Sequence, residues 1–330
     1  MIAELDASAL RPTENWIQTV LRTPGLTDFC FNGAREAWMD RGQGMEVVPD
    51  TVFPQGWSDI ELREWVIHEL SRVGKTWDAR HPYIDATSAD GHRLHVLFPP
   101  LCAKGITVSI RKIGAHSGRP NDASNSSFWC GDPGFSLLQE IVLRGETLVL
   151  SGSTGSGKTT LLTELIERIP HHERLIALED TPELFPNHPH FLSLQSRPQN
   201  ADGYGEVTLR TLLKQTLRMR PDRILIGECR GDEVLELLQL LNTGHTGALT
   251  TLHANSPRDT LRRLELLCLL ASDGALPPSV IRELLAHGIQ WIAQVRRDPQ
   301  GVRKISEIWK IEGREGDTIL MRPMLQLKPQ

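Results

Sequence analysis

The eight residues from Gly152 to Thr159 have the types and the spacing that bind phosphate. They fit the pattern G-x-x-x-x-G-K-[ST], and they stand between an apolar run typical of a buried strand and a stretch with helical spacing. The glycines allow successive backbone N–H groups to point inward at phosphate oxygens, and the positive end of the following helix adds to the attraction. The pattern predicts that Lys158 reaches the β- and γ-phosphates of ATP and that the Thr159 hydroxyl binds Mg²⁺. The candidate nucleotide-binding residues are Gly152, Ser153, Thr154, Gly155, Ser156, Gly157, Lys158, Thr159 and Thr160.

Two acidic positions follow short apolar runs further along the chain. Glu179 and Asp180 come after an apolar stretch over 175–178, and Glu228 comes after another over 224–226. Acids at the carboxyl ends of parallel strands lie where such sheets bind ligands. Glu228 is placed where a carboxylate holds Mg²⁺ directly or through water, although Asp is the usual residue there. Glu179 or Asp180 could polarise the attacking water, and the alternative that both are solvated loop acids stays open.

A Gly- and Thr-rich segment over 242–255 carries two histidines. His245 and His253 stand on either side of a short apolar run, downstream of the phosphate loop. Imidazoles in such a place could sense the γ-phosphate by hydrogen bonding. A purely structural role is an equally good interpretation from the sequence alone.

The order of apolar runs predicts an α/β protein with two domains. Residues 1–115 combine short strand-like runs with an amphipathic helix that begins with a capping box at Ser58, which predicts a smaller α+β domain. The polar stretch over 116–133 predicts a linker. From 134 to 330, strand-like and helical runs alternate, which predicts a parallel-rich sheet flanked by helices. The candidate strands of this part span 147–150, 175–178, 191–194, 224–226 and 248–252, with further β-structure over 302–309 and 318–327, and the candidate helices span 158–168, 209–219, 232–241, 257–270 and 279–287.

Composition excludes several classes of protein. The formal net charge is −5, which gives no general attraction to nucleic acid or anionic lipid. No apolar run approaches the roughly 18 residues that span a bilayer. The five cysteines are scattered and none forms a C-x-x-C pair, so no zinc or redox motif is present and reduced thiols are expected.

Four segments together resemble the boxes of one superfamily, the RecA-like ATPases of bacterial type II and type IV secretion and pilus assembly. They are the Walker A loop at Gly152–Thr159, an Asp box at 179–184, a Walker B segment from 217 to Glu228, and a His box from 243 to 256. Segments near 32–42, 91–100 and 109–112 resemble the N-terminal domain of that family. The chain lacks the four-cysteine module of type II extension ATPases and the Ala-Ile-Arg-Asn-Leu-Ile-like segment of retraction ATPases. The remaining resemblance is to the branch that serves tight-adherence pili and type IV secretion.

The resemblance implies a RecA-like ATPase domain over 134–330 and a mechanism. It implies a ring, usually of six subunits, with ATP and Mg²⁺ held between the N- and C-terminal domains. Lys158 and Thr159 hold phosphates and metal, Glu228 supports the metal, and Glu179 positions or activates water. The remaining catalytic candidates are Arg93 and Arg111, which match the γ-phosphate arginines of the family, and His253 of the His box.

The resemblance also implies where the chain works and with what. Its partners are expected to be copies of itself and inner-membrane platform or secretion-channel proteins, at the cytoplasmic face of the inner membrane. Two other functions stay open from the sequence. A RecA-like nucleic-acid motor would share the phosphate loop but calls for a basic or aromatic strip, which is not visible. A nucleotide-gated, non-catalytic scaffold is disfavoured by the intact Lys158, Glu179, Glu228 and His253, and a turnover assay with Mg-ATP separates it.

Overall fold

The structure, a computed structural model, describes residues 17, 20–41, 44–48, 57–77, 81–112, 129–199, 204–298 and 302–327. The chain divides into two compact units, Met1–Ser117 and Gly118–Gln330. Most of the predicted linker over 116–133 lies outside the described residues, and its boundaries stay a prediction. Trp129, near the end of that stretch, is buried in the core of the second unit.

The first unit contains an antiparallel sheet of six strands and the helix α1. Alternating buried and exposed positions along its strands produce one core face and one polar face. The core face carries Phe29 and Phe31, and helix α1 buries Leu62 and Val66 in the same core. The predicted capping box is present, because Ser58 and Glu61 each accept a hydrogen bond from the backbone of the other. The strands are β1 Asp28–Asn32, β2 Ala37–Asp40, β3 Met45–Val47, β4 Tyr83–Thr87, β5 Arg93–Leu97 and β6 Thr107–Arg111, in the order β3-β2-β1-β6-β5-β4, and α1 is Asp59–Arg72.

The two candidate arginines of this unit are neighbours. Arg93 on β5 and Arg111 on β6 are paired in register, and they alternate with the buried Leu94 and Ile110. They therefore share the face of the sheet opposite its core. Arg111 Nε donates to Asp28 Oδ1 on the adjacent strand β1 at 3.1 Å.

The second unit contains an eight-stranded sheet with helices. Strands β12, β7, β11, β10, β8 and β9 run parallel in that order, and β13 and β14 extend the β12 edge as antiparallel strands. This arrangement confirms the predicted α/β class with a parallel-rich sheet. The strands are β7 Leu148–Gly152, β8 Leu175–Glu179, β9 Phe191–Gln195, β10 Arg223–Ile226, β11 Leu249–Leu252, β12 Trp291–Arg297, β13 Arg303–Glu315 and β14 Thr318–Gln326. The helices are α2 Phe135–Leu143, α3 Lys158–Ile166, α4 Leu209–Thr216, α5 Glu233–Leu241, α6 Pro257–Ala271 and α7 Pro278–Gly288.

Three elements were not predicted from the sequence: β4, α2 and β12. Helix α2 has only nine residues and begins at Gly134 without a side-chain cap, so its start carries no sequence signal. Strand β12 is a run of mixed polarity that becomes a strand by pairing with β7 on one side and β13 on the other.

The central strands of the second unit are buried along their whole length. Every residue of β7, β8, β10 and β11 is buried, which is typical of a parallel sheet covered on both faces. Among the described residues no helix has the length and apolar character that a bilayer span requires; the longest has 15 residues.

Candidate functional site

Four adjacent parallel strands bring their carboxyl ends to one edge of the sheet. Strands β7, β11, β10 and β8 are neighbours, so the segments that follow them lie side by side. These segments are the phosphate loop after β7, the His253 segment after β11, the Glu228 segment after β10 and the Glu179 segment at the end of β8. Four stretches that are far apart in sequence thus form one candidate site.

The phosphate loop needs glycine at two positions for different reasons. Gly157 has φ 100°, a left-handed conformation that allows helix α3 to begin at Lys158. At Gly152 a Cβ atom would lie 2.3 Å from the carbonyl oxygen of Val295 on β12, so a side chain does not fit. The loop is therefore shaped by the turn itself and by its packing against β12.

Lys158 folds back into the loop. Its ammonium donates to the carbonyl oxygens of Gly152 and Ser153, both at 2.9 Å, and lies 3.4 Å from His253 Nδ1. The residue is only 6% exposed. Burial lowers the pKa of Lys158 to about 8, while the carboxylates of Glu228 and Glu183 act in the opposite direction. The three hydrogens of this ammonium thus all face protein acceptors, and a bound phosphate must take over at least one of them.

His253 stands between Lys158 and Glu228. Its Nε2 atom lies 3.3 Å from Glu228 Oε1, on the opposite side of the ring from Lys158. Burial and the Lys158 charge lower the pKa of His253, although Glu228 acts to raise it. An ammonium can only donate, so Nδ1 accepts from Lys158, and in the neutral ring the hydrogen is then on Nε2, the atom that lies near Glu228. The described structure thus links a phosphate-loop cation, an imidazole and a carboxylate in one row.

Glu179 is in a different environment from Glu228. It is 2% exposed, and burial raises its pKa in spite of the hydrogen bonds that it accepts. Its Oε1 accepts the N–H groups of Glu183 at 2.8 Å and Leu184 at 3.0 Å, and its Oε2 accepts the hydroxyl of Ser193 at 2.9 Å. The carboxylate therefore organises the loop after it.

That loop carries an acid which sequence reasoning did not select, Glu183. Its negative charge acts on Lys158, whereas Glu179 is not among the groups that shift the Lys158 pKa. Glu183 was missed because it follows no apolar run of its own. The signal that could have found it is the spacing of two acids four residues apart in the Asp box.

One ion pair and several hydrogen bonds hold the loops around the site. Asp180 accepts from the hydroxyl of Ser196 at 2.6 Å and pairs with Arg230, which lies two residues after Glu228. Glu233, which is buried, accepts the N–H groups of Arg230 and Gly231 at 2.7 and 2.9 Å. The segment that carries Glu228 is thus held from both sides.

Not every candidate residue of the second unit lies at this edge. His245 precedes β11 and His253 follows it, so the two histidines of the His box lie at opposite ends of the strand. His245 is exposed and belongs to the far edge of the sheet. Arg93 and Arg111 belong to the first unit, where they share a polar face.

The residues at this edge fit a nucleotide with a magnesium ion. Around Gly155 a Cβ atom would meet nothing within 4 Å, so the rim of the loop is open. The half-exposed Thr159 hydroxyl and Glu228 carboxylate are the hard oxygen donors that Mg²⁺ prefers. Among the described residues no group of three or more His, Cys, Asp and Glu side chains is arranged to hold a metal alone.

The chain is similar to known proteins of bacterial secretion and conjugal transfer. A profile of the family described as type II/IV secretion system protein matches residues 87–296. The chain is 34% identical over 313 residues to a putative conjugal transfer protein of Mycobacterium tuberculosis, covering 91% of this chain and 85% of that one. It is also 34% identical over 336 residues to the type IV secretion system protein VirB11 of Brucella suis, covering 91% and 88%.

Solved structures give the same architecture at lower identity. The pilus retraction motor PilT, crystallised with ADP, aligns with a TM-score of 0.62 at 18% identity, over 97% of this chain and 84% of that one. The ATPase DotB of Legionella pneumophila aligns with a TM-score of 0.60 at 16% identity, over 91% and 80%. At these identities the likeness concerns the fold.

Proposed function

Because the chain belongs to the type II/IV secretion system protein family and is a traffic ATPase, we propose that it works as a ring of six subunits that drives transport through a type IV secretion system. A type IV system is favoured over a tight-adherence pilus because a conjugal transfer protein and a VirB11 protein are both 34% identical over most of their lengths. Its partners are then the platform or channel proteins of the inner membrane, at the cytoplasmic face. Membership of the family decides against the nucleic-acid motor and the non-catalytic scaffold.

The observation that carries the catalytic part of this proposal is the row formed by Lys158, His253 and Glu228. An incoming γ-phosphate attracts the Lys158 ammonium. The contact with His253, at 3.4 Å, is the longest of the three contacts that this ammonium makes, so we expect it to be exchanged first. His253 is then free to turn its ring toward the phosphate. In this way binding of a γ-phosphate changes the contact between His253 and Glu228.

Thr159 and Glu228 are the residues that we expect to hold Mg²⁺, with Glu228 acting directly or through water. When bound, the ion neutralises charge on the β- and γ-phosphates. The resemblance assigns the attacking water to Glu179, but the Glu179 carboxylate is engaged in three hydrogen bonds that shape its loop. We therefore propose Glu183 of the same loop, whose charge acts on Lys158, as the acid that orients this water. A direct action of Glu179 on water requires some of its three hydrogen bonds to break.

The test is Mg-ATP turnover by the full chain and by Lys158→Ala. We expect Lys158→Ala to lose turnover, because the loop then lacks the cation that binds the phosphates, while circular dichroism stays unchanged. Lys214→Ala is the matched control, since Lys214 is an exposed lysine that pairs with Glu236 on a neighbouring helix. Normal turnover by Lys158→Ala would contradict the assignment of the loop. Light scattering with ATP present measures the number of subunits.

We propose that Arg93 and Arg111 stabilise charge on the γ-phosphate during transfer, as the resemblance implies. Guanidinium groups suit this charge, and losing one such contact costs on the order of 10²-fold in rate. Arg93→Ala and Arg111→Ala should slow turnover and leave ADP affinity unchanged, because ADP has no γ-phosphate.

The control for these two variants is Arg41→Ala, which removes another exposed ion pair, Arg41–Glu46, from the same unit. It should behave like the parent. Equal losses of turnover in all three variants would mean that the first unit needs its surface arginines only for folding.

A further inference from the structure

A row of buried polar side chains crosses the sheet directly beneath the phosphate loop. Gln294 on β12, which is 2% exposed, accepts the hydroxyl hydrogen of Ser151 on β7 at 2.5 Å through its Oε1 atom. Its Nε2 atom donates to the carbonyl oxygen of Ala254, which comes after β11, at 3.1 Å. Strand β7 lies between β12 and β11, so this one amide spans three strands.

Both ends of that amide reach the candidate site. Ser151 precedes Gly152 in the phosphate loop, and Ala254 follows His253. The Ala254 carbonyl fixes the backbone that aims the imidazole at Lys158 and Glu228. On the other side of β11, the Thr251 hydroxyl donates to the Gly227 carbonyl at 2.7 Å, one residue before Glu228.

We propose that Gln294 is a positioning residue for ATP hydrolysis, which holds His253 between Lys158 and Glu228 by tying the Ala254 carbonyl to Ser151 at the base of the phosphate loop. The inference rests on the proposed catalytic row. It adds a residue that lies outside all four sequence boxes and that acts through the backbone beside His253. A buried amide is costly unless its groups are paired, and here both are paired, one with Ser151 and one with the Ala254 carbonyl.

The variant that tests the proposal is Gln294→Met, which keeps the length of the side chain and removes both hydrogen bonds. We expect ADP affinity to stay within about twofold and kcat to fall about tenfold, because a small displacement of a catalytic group costs rate rather than ground-state binding. Thr216→Val is the matched control. Thr216 is fully buried, and its hydroxyl bonds only the Leu213 carbonyl of its own helix. Thr216→Val should therefore keep the parent kcat.

A double-mutant cycle separates positioning from general loss of stability. If Gln294 acts through His253, then Gln294→Met should cause no further loss of kcat in a His253→Asn background. Losses that multiply in the double variant would overturn the proposal, as would an unchanged kcat in Gln294→Met alone.

A second measurement does not depend on activity. A parent chain without turnover would refute the proposed ATPase mechanism, and this measurement would still test the positioning role of Gln294. Crystal structures of nucleotide-free Gln294→Met and Thr216→Val give the distance from Lys158 Nζ to His253 Nδ1. We expect this distance to lengthen beyond hydrogen-bond range in Gln294→Met and to stay near 3.4 Å in Thr216→Val. A distance that is the same in both variants would refute the positioning role.

Discussion

Two segments of the second unit have the same sequence pattern and opposite structural environments. At 175–179 and at 224–228, an apolar strand leads into a glutamate at the same edge of the sheet. Glu179 ends 2% exposed with three hydrogen bonds to its own loop and to β9, whereas the side chain of Glu228 is 39% exposed and faces His253.

The difference comes from the loop at the end of each strand. After Glu179 the chain turns back, and two of its N–H groups close onto the carboxylate. In the loop after Glu228, a buried acid, Glu233, accepts the hydrogen bonds of the loop N–H groups. The Glu228 carboxylate is therefore available for other partners. We therefore expect the Glu228 carboxylate, and not that of Glu179, to be available to a ligand in this site.

The largest effect that separates the two acids is expected from Glu228→Gln. We expect kcat to fall on the order of 10²-fold or more, because the amide is a poorer partner for a metal ion and for His253. ADP binding and the thermal midpoint should stay close to those of the parent. Steady-state turnover and differential scanning fluorimetry make the measurement. A turnover rate within threefold of the parent would remove Glu228 from the catalytic row.

The pH dependence of nucleotide binding, which follows the titration of Lys158, gives a second way to distinguish Glu228 from Glu179. Its pKa in the nucleotide-free protein is about 8, and bound phosphates favour the charged amine, so binding takes up a proton above that pH. ADP affinity should therefore fall about tenfold between pH 7 and pH 9. Isothermal titration calorimetry at a series of pH values measures it.

The two acids should act differently on this profile. Glu228 raises the pKa of Lys158, so Glu228→Gln should shift the loss of affinity to lower pH. Glu179→Gln should leave the profile in place. If both variants shift the profile equally, the two carboxylates are electrostatically equivalent and the contrast drawn from their burial is wrong.

The smallest effect is expected from Glu179→Gln. The glutamine carbonyl can still accept the N–H groups of Glu183 and Leu184, and its amide can donate to the Ser193 hydroxyl. Turnover of Glu179→Gln should stay within about threefold of the parent. Glu179→Ala leaves the two loop N–H groups without an acceptor and should lose about 1–3 kcal/mol of unfolding free energy. A collapse of turnover in Glu179→Gln at unchanged stability would assign Glu179 a direct role on water.

The same variant should also change the pH dependence of stability. The pKa of Glu179 is raised in the folded protein, so the folded chain binds this proton more tightly than the unfolded chain does. The unfolding free energy of the parent therefore falls as pH rises from the ordinary glutamate pKa through the raised one. In Glu179→Gln this contribution is absent, and urea titrations across that range should show a flatter profile.

Local patterns in the sequence determined much of this protein. The phosphate loop, the strands that lead into it and into both acids, and the capped helix at Ser58 were predictable, because each depends on residues within a few positions of one another. The parallel-rich sheet was predictable from the alternation of strand-like and helical runs, and the four boxes were identified by their resemblance to a known family. Strand β12 and helix α2 were not, since the first is defined by its pairing partners and the second begins without a cap.

Only the tertiary structure decided which of the predicted groups meet. It joined His253 to Lys158 and Glu228, left His245 at the other end of β11, buried Glu179 and placed Gln294 beneath the loop. Each of these outcomes depends on strand order or on the packing of segments that are far apart in the sequence. The burial and the partners of a charged group depend on what packs against it, and no local pattern carries that information.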